Sequence, residues 1–336
     1  MSECAATGSS ATRGVVTGGA VNSGAVTGSA VSGGVVSGDG AKTFREALAA
    51  GPLVLDGGMS NELEAQGHDL GGVLWSAGLL RDAPEAITAV HRAYFEAGAQ
   101  VAITASYQAT YPGFARLGIS RAETTTLLRR SVTLAREAAA GSGWVAASVG
   151  PYGAMLADGS EYRGDYGLTV AELTRFHRPR LEALAEAGPD VFAVETIPDI
   201  REAEAVLTAL DGLGIPAWLS YSSRGTTTSA GQPLTEAFAL AGSSPAVVAT
   251  GVNCAPSAEV APALALTAGL PGVAYPNGGG VWDPRARSWQ GTRDEIADLA
   301  PSWVTAGAVL VGGCCRVGPI GIKELAARLR PSGGGS

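Results

Sequence analysis

The chain has 336 residues, and its 31 acidic and 23 basic residues leave a formal net charge of -8. This length suits one large α/β barrel as well as two smaller domains. No stretch concentrates Lys or Arg enough to neutralise a phosphate backbone, which excludes nucleic acid as a partner. Hydrophobic residues make up 46% of the chain, but glycine, proline, serine and charged residues interrupt them before the roughly 18 apolar residues of a membrane span. A membrane anchor is therefore excluded as well.

Four cysteines are too few for a disulfide scaffold in a chain of this length. The first residues also lack the basic region and the apolar run that are typical of a secretory signal. We therefore expect a soluble protein of the reducing cytoplasm. The oligomeric state stays open at this point.

The first part of the chain differs in composition from the rest. Residues 1 to 40 contain ten glycines and three charged residues, in a loose alternation of Val or Ala with Gly, Ser or Thr. Such a sequence does not offset its ordering entropy, so we predict a disordered tail over residues 1–41, with a short β-rich edge element as the alternative. Cys4 in this tail is expected to be an unused thiol. The body is expected over residues 42–330, and residues 331–336 have the composition of a flexible C-terminus.

Eight short apolar runs predict the strands of the body. In chain order they are Leu53–Asp56, Ala99–Thr104, Trp144–Val149, Val191–Glu195, Ala217–Tyr221, Ala246–Val252, Gly272–Tyr275 and Ala308–Val311. Segments of helical period lie between them, among them 84–97, 121–140, 170–187, 200–210, 259–268, 292–300 and 320–329. Eight strand-then-helix units predict a single (β/α)8 TIM barrel. The rival is an open doubly wound sheet, but Asp56-Gly57-Gly58-Met59 lacks the Gly-x-Gly-x-x-Gly spacing of that fold.

Three cysteines fall at predicted strand ends, where the working residues of a barrel lie. Cys254 follows the sixth strand, and Cys314 and Cys315 follow the eighth strand and two glycines. Three thiolates at one rim suit zinc, and a site with only three protein ligands keeps the open position of a catalytic centre. The glycines are expected to permit an unusual backbone there. Small buried apolar residues, or a disulfide between the two adjacent cysteines, are the alternatives. None of the three histidines is assigned to catalysis.

A zinc ion with three thiolates is better suited to holding a fourth thiolate than to splitting water. Coordination by a metal deprotonates a thiol whose free pKa is about 8.5, and the sulfur-rich shell leaves it nucleophilic. The chemistry implied by the cysteines is therefore alkyl transfer to a substrate thiol.

The motifs together resemble those of the homocysteine S-methyltransferase family, from about Leu53 to Pro319. They are Leu55-Asp56-Gly57-Gly58-Met59 with Leu63-Glu64 and Gly67, Thr104-Ala105-Ser106-Tyr107-Gln108-Ala109, Val194-Glu195-Thr196, Gly251-Val252-Asn253-Cys254, Tyr275-Pro276-Asn277, Trp282-Asp283 and Gly312-Gly313-Cys314-Cys315-Arg316. The Gly-Val-Asn-Cys and Gly-Gly-Cys-Cys motifs are highly specific as a pair. Asp-Gly-Gly or Glu-Thr alone would be weak.

The resemblance implies a (β/α)8 fold and a Zn2+ cofactor held by Cys254, Cys314 and Cys315. It implies that the thiolate of L-homocysteine takes the open fourth position and receives a methyl group, giving methionine. By the same resemblance Glu195 would hold the amino group of homocysteine, with Asp56 beside the same pocket. The full set of substrate-binding residues that we expect is Asp56, Gly57, Tyr107, Gln108, Glu195, Thr196 and Asn253. Each carboxylate has an alternative role in capping a helix or pairing with an arginine.

The methyl donor is less closely indicated than the acceptor. Donors within the family include S-methylmethionine, S-adenosylmethionine, betaine and methylfolate, and residues 105–110 look most like members that use S-methylmethionine. An aromatic pocket would suit a sulfonium cation, and Tyr107, Tyr221, Tyr275 and Trp282 are available by predicted position.

Two loops depart from the family pattern. Gly278-Gly279-Gly280 replaces the usual Ser-Gly-Glu, and Val317-Gly318 replaces two hydroxyl residues. We expect these loops to order poorly and to affect the donor. Two other functions stay open: a non-catalytic zinc- or thiol-binding barrel, and a metal-independent lyase that uses Asp56 and Glu195 as acid and base.

Overall fold

The computed structural model describes residues 42–70, 76–283 and 288–330. The predicted tail over residues 1–41 and the predicted flexible end over 331–336 lie outside this part. Within the described residues, no helix is both long and apolar enough to cross a membrane.

Eight parallel strands form a ring, as the sequence predicts. They are β1 (Leu53–Val54), β2 (Val101–Ile103), β3 (Trp144–Val149), β4 (Val191–Ile197), β5 (Ala217–Tyr221), β6 (Val247–Asn253), β7 (Gly272–Tyr275) and β8 (Ala308–Val311). Each strand pairs with its neighbours in chain order, and β1 also pairs with β8 through Leu53 and Leu310. A parallel bridge between Leu55 and Val101 joins β1 to β2 and closes the barrel.

Helices follow the strands around the outside. They are α1 (Phe44–Ala50), α2 (Met59–Ala65), α3 (Ser76–Asp82), α4 (Pro84–Ala97), α5 (Tyr111–Ala115), α6 (Arg121–Ala139), α7 (Tyr152–Leu156), α8 (Val170–Ala185), α9 (Ile200–Leu210), α10 (Leu234–Gly242), α11 (Val260–Leu264), α12 (Ile296–Thr305) and α13 (Pro319–Leu329). Short 3-10 turns cover Ser160–Tyr162 and Ser257–Glu259, and two small hairpins pair Ser223–Arg224 with Thr227–Thr228 and Val281–Asp283 with Ser288–Gln290.

The long helices begin where the sequence supplies side-chain caps. Thr169 and Glu172 form a reciprocal capping box at α8, and Ser120 accepts a hydrogen bond from the Glu123 N–H at α6. These contacts satisfy N–H groups that have no partner within the helix. At α4, Pro84 occupies the first turn and Gly98 ends the helix in the left-handed conformation, which is the usual placement of the two residues.

Two predicted helices differ from the structure by more than two residues at an end. The helix predicted over 259–268 ends at Leu264, because the Leu266 and Thr267 N–H groups donate to carbonyls only three residues back and so form turns instead of a continued α-helix. The helix predicted over 292–300 begins only at Ile296, since the Asp294 N–H donates to the Gly278 carbonyl instead of joining a helix. It then continues through Pro301 to Thr305.

The barrel interior is filled by side chains, so the working end is not an open pore. Helix α1 lies outside the repeating units and contributes Phe44, which stacks on Trp218 and meets Trp144 edge-on. All three belong to or pack on one apolar cluster inside the barrel. Trp144 begins β3, so α1 covers the amino end of the barrel and leaves its carboxyl end for the site.

Candidate active site

The three cysteines converge at the carboxyl end of the barrel. Cys254 follows β6, Cys314 and Cys315 follow β8, and their sulfur atoms all lie within 4.8 Å of one another. Three sulfurs on a tetrahedral zinc at about 2.3 Å stand roughly 3.8 Å apart, so these cysteines are of the right type and close enough together to hold such an ion once all three are reduced. Cys254 and Cys314 are joined by a disulfide, with Cα atoms 5.6 Å apart, and Cys315 is free. That bond must be reduced before the three sulfurs can act together as ligands.

Burial raises the pKa of the Cys315 thiol to about 11, and the charges of Glu64 and Glu195 act in the same direction. At neutral pH the sulfur is therefore protonated unless a cation replaces the proton. Taken over the whole residue, Cys315 is partly buried.

The chain bends sharply at Cys254 to bring its sulfur inward. Cys254 has a φ of 49°, which is uncommon for a residue with a side chain. Its N–H donates to the Tyr275 carbonyl at 3.2 Å, and the Asn277 side-chain amide donates to its carbonyl at 3.0 Å. Both backbone groups are thus held by the neighbouring strand β7 and its loop, which offsets the strain.

The two glycines before Cys314 are needed for space and not for an unusual backbone. Neither lies in the left-handed region. A Cβ on Gly312 would stand 2.6 Å from the Leu55 Cβ, and a Cβ on Gly313 would stand 2.3 Å from the Val317 side chain. The predicted reason for these glycines was therefore wrong: they let the β8 loop pack directly against β1 and against itself.

Asp56 lies at the end of β1 and is 2% exposed. Its Oδ2 accepts a hydrogen bond from the Ile103 N–H at 2.8 Å, while Oδ1 has no partner among the described residues. Burial raises the pKa of this carboxyl, and the charge of Glu195 raises it further. The neighbouring Gly57 has no room for a side chain, because a Cβ there would lie 2.3 Å from the Val317 carbonyl. This part of the site carries an acid that lacks a cation.

Glu195 ends the regular part of β4 and is 7% exposed. Burial raises its pKa to about 7, although hydrogen bonds from the Ser148 and Tyr275 hydroxyls favour the charged form. A buried carboxylate with that pKa is ready to become ionised when a cationic ligand arrives. Glu195 and Asp56 therefore form an acidic pocket next to Cys315.

Thr196 and Asn253 form a reciprocal pair of hydrogen bonds between the ends of β4 and β6. The Thr196 N–H donates to the Asn253 Oδ1 at 2.7 Å, and the Asn253 amide donates back to the Thr196 hydroxyl at 2.7 Å. Thr196 has a φ of 59°, so these two hydrogen bonds stabilise a strained backbone conformation beside Glu195. Asn253 is fully buried, and its contacts position the strand ends that carry Glu195 and Cys254.

Tyr107 and Gln108 follow β2 and lie on the same side of the barrel end. The Tyr107 ring packs on Gly150, where a Cβ would stand 2.6 Å from the ring, and its hydroxyl hydrogen-bonds Thr196. The Gln108 amide donates to the Ala154 carbonyl at 2.8 Å, and its Oε1 is buried without a partner among the described residues. Gln108 thus anchors helix α7 through one end of its amide.

Comparison with known proteins decides the family. A family model described as Homocysteine S-methyltransferase matches residues 53–329. The Homocysteine S-methyltransferase of Escherichia coli strain K12 is 46% identical over 293 residues, covering 82% of this chain and 94% of the relative. The chain belongs to the homocysteine S-methyltransferase family. It is therefore a methyltransferase, as the resemblance implies.

Solved structures of the Escherichia coli homocysteine methyltransferase MmuM are similar to the whole barrel. Its metallated form aligns with a TM-score of 0.76 at 46% identity, covering 84% of this chain and 98% of that chain. Its oxidized form aligns with a TM-score of 0.75 at 46% identity, covering 82% and 96%.

Two of the aromatic residues expected at the donor pocket of this methyltransferase have other positions. Tyr221 packs against Phe238 outside the ring, and its hydroxyl donates to the Ala237 carbonyl at 2.9 Å. Tyr275 lies inside the barrel, where it accepts from the Trp218 ring N–H at 3.0 Å and hydrogen-bonds Glu195. Strand alternation decides which way each side chain points, and the strand ends alone did not show it. The Trp282 side chain lies outside the described part.

The departure at Gly278-Gly279-Gly280 has a structural counterpart in Arg316. The Arg316 Nη1 donates to the Gly279 carbonyl at 2.9 Å, and a Cβ on Gly280 would lie 2.1 Å from that nitrogen. Gly279 and Gly280 both adopt positive φ. The guanidinium fills the space that side chains at these positions would occupy, while the expectation of poor order in this loop stays a prediction.

Sequence reasoning missed Ser148 and Ser220, and it assigned Tyr275 to a donor pocket and not to the support of Glu195. Ser148 and Tyr275 contact Glu195 directly, and Ser220 lies 2.7 Å from the Tyr275 hydroxyl and donates to Asn253 at 2.8 Å. Their signal was available, because serine within an apolar strand demands a buried partner. The turn Ser160–Tyr162 was also missed, since it follows a loop and carries no strand-end position.

Proposed function

We propose that this chain is a zinc-dependent homocysteine S-methyltransferase that uses S-methylmethionine, or S-adenosylmethionine, as its methyl donor. The observation that carries the proposal is the placement of three cysteine sulfurs, within 4.8 Å of one another, beside two buried carboxylates at one barrel end. A thiol-activating cluster next to an anionic pocket fits an acceptor that has both a thiol and an ammonium group.

Zinc would be held by Cys254, Cys314 and Cys315, and when bound it lowers the pKa of a thiol so that the thiolate is present at neutral pH. The sulfur-only ligand set supports this metal over magnesium or calcium, which prefer oxygen. The bond between Cys254 and Cys314 has to be broken before zinc can bind to all three cysteines, and this requires a reducing compartment such as the cytoplasm.

Glu195 and Asp56 would bind the ammonium group of L-homocysteine. The raised pKa of Glu195, about 7, results mainly from burial without a cation, and an ammonium group supplies that cation through charge-assisted hydrogen bonds. The Ser148 and Tyr275 hydroxyls fix the carboxylate so that it points to one place. The acceptor is thereby positioned with its sulfur toward the cysteine cluster.

In the transfer itself, the thiolate sulfur of homocysteine forms a bond to the donor methyl carbon while that carbon leaves the sulfonium sulfur. The bonding pair stays on the donor sulfur, which becomes a neutral thioether, and homocysteine becomes methionine. The thiol proton is released before the transfer, so no side chain has to act as a general base in that step. The chain contributes alignment and exclusion of water.

The test combines metal analysis of the reduced protein with methionine formation from homocysteine and each donor, including betaine. We expect close to one zinc per chain and turnover with a sulfonium donor. Cys314→Ser should lose the metal and the activity, whereas Cys4→Ser, the matched control in the tail, should keep both. Full zinc and full turnover in Cys314→Ser would overturn the proposal, and turnover with betaine alone would replace the donor.

A further inference from the structure

The loop after β3 carries a buried acid that the acceptor pocket does not use. Ser160–Tyr162 forms a 3-10 turn that packs on β4, the strand that ends in Glu195 and Thr196. The turn lies so close to Gly153 that a Cβ there would stand 2.4 Å from the Glu161 backbone nitrogen. Glu161 is therefore held against the carboxyl end of the barrel.

Glu161 is 4% exposed, and its Oε2 has no hydrogen-bond partner among the described residues. Burial raises the pKa of the carboxyl. The nearby Arg163 compensates only in part, because it is largely exposed and pairs with Asp158 at 3.8 Å. An acid left in this state costs free energy, which a cationic ligand would recover.

The other buried acids among the described residues already have assigned contacts. Asp199 is held by Arg201, and Glu202 accepts from the Tyr152 N–H and contacts His177 at 3.0 Å. Asp56 and Glu195 form the acceptor pocket. Glu161 remains as a carboxylate that needs a cation.

Two tyrosines connect Glu161 to the reacting region. Tyr107 hydrogen-bonds Thr196 and lies within the electrostatic reach of Glu161 and Glu195. Tyr162 follows Glu161 in the same turn and is 36% exposed. Both residues therefore lie on the side of the barrel end where β4 carries Glu195 and Thr196, and Tyr162 also reaches solvent.

We propose that Glu161 binds the α-ammonium group of a sulfonium amino acid donor, while Tyr107 and Tyr162 lie against its sulfonium end. The inference rests on the proposed function and specifies its donor site. Methyl transfer between two amino acids brings two ammonium groups to one barrel end, and the structure offers a separate buried acid for the second. Aromatic faces stabilise the sulfonium charge. Betaine has no primary ammonium group and would not make this contact.

The test compares S-methylmethionine with (3-carboxypropyl)dimethylsulfonium, which is the same molecule without its amino group. Equilibrium binding to the reduced, zinc-loaded protein and the KM for each compound are measured in wild type, Glu161→Gln and Asp158→Asn. Asp158→Asn is the matched control, because it removes one charge from the same loop at an exposed site. Methionine formation is recorded in the same reactions.

Wild type and Asp158→Asn should bind S-methylmethionine roughly thirty-fold or more tightly than the analogue, the usual effect of removing one partner of a buried charge pair. In Glu161→Gln this preference should fall to within about three-fold, with the homocysteine KM nearly unchanged. Equal binding of both compounds to wild type, or no binding of either, would overturn the inference even if the variant fails to fold. Selective binding without methionine formation would instead contradict the proposed function and leave the Glu161 site in place.

Discussion

Removing the Ser148 hydroxyl should move the pH dependence of homocysteine use to higher pH. Ser148 donates to the Glu195 Oε1 inside the barrel, and a hydrogen bond to a charged group is worth about 1.5–3 kcal/mol. At 1.36 kcal/mol per pKa unit, Ser148→Ala should raise the pKa of Glu195 from about 7 by about one to two units. The ionised share at pH 7 would fall from about half to between one and ten per cent.

If ionised Glu195 binds the ammonium group, kcat/KM for homocysteine at pH 7 should fall roughly 5- to 50-fold in Ser148→Ala. The loss should shrink as the pH rises toward 8.5, because more Glu195 is then ionised. Initial rates measured at saturating donor between pH 6 and 8.5 give kcat/KM for homocysteine against pH, and the acidic limb of this profile is the range in which kcat/KM falls as the pH falls.

Ser106→Ala is the matched control, because its buried hydroxyl donates to the Ser148 carbonyl at 2.8 Å and not to Glu195. Ser106→Ala loses only neutral hydrogen bonds, to the Ser148 carbonyl and the Thr104 hydroxyl, so the pH at which kcat/KM falls should not change. A limb that stays in place in Ser148→Ala, or that moves to lower pH, would refute the assignment of Glu195 as the acid that must be ionised.

Three further outcomes follow from the geometry. Gly312→Ala should lower the free energy of unfolding by about 1–3 kcal/mol through overpacking, because its Cβ would lie 2.6 Å from the Leu55 side chain. Gly78→Ala is the control, since a Cβ there has nothing within 4 Å, and it should not lower the free energy of unfolding. Urea unfolding of the two variants makes the comparison. Phe44→Ala should cost about 3–5 kcal/mol by emptying the contact with Trp144 and Trp218, and a thermal unfolding curve like that of wild type would contradict the role of α1 in covering the barrel. Because the pKa of Glu195 is higher in the folded protein, wild type should lose stability as the pH rises from about 4.5 to about 7. The free energy of unfolding, measured in urea at several pH values, should fall less steeply with pH in Glu195→Gln than in wild type.

The barrel was predictable because local patterns determine most of it. Each of the eight predicted runs overlaps a barrel strand, and α4 and α9 have the predicted bounds. The departures came from contacts distant in sequence. Residues 292–295 do not join α12, since Asp294 contacts the loop after β7.

The positions of the cysteines were predictable for a related reason. Parallel strands place their carboxyl ends at one rim, so Cys254 and Cys314 meet although 60 residues separate them. The direction in which each rim side chain points was harder to predict. Tyr221 and Tyr275 both lie near strand ends, yet one packs outside the ring and the other inside it.

The same loops that close the barrel also form the site. The Gly313 N–H donates to the Asp56 carbonyl at 3.1 Å, and the Gly58 N–H donates to the Val317 carbonyl at 2.9 Å, so the first and last strand loops hold each other. The Tyr94 hydroxyl lies 3.0 Å from the carbonyls of Gly58 and Val317 at the same seam. Cys314 and Cys315 sit within this seam, while Asp56 is one of its hydrogen-bonding partners. Glycines are therefore required in both loops of this seam, because a side chain there would push the loop that carries Asp56 away from the loop that carries Cys314 and Cys315.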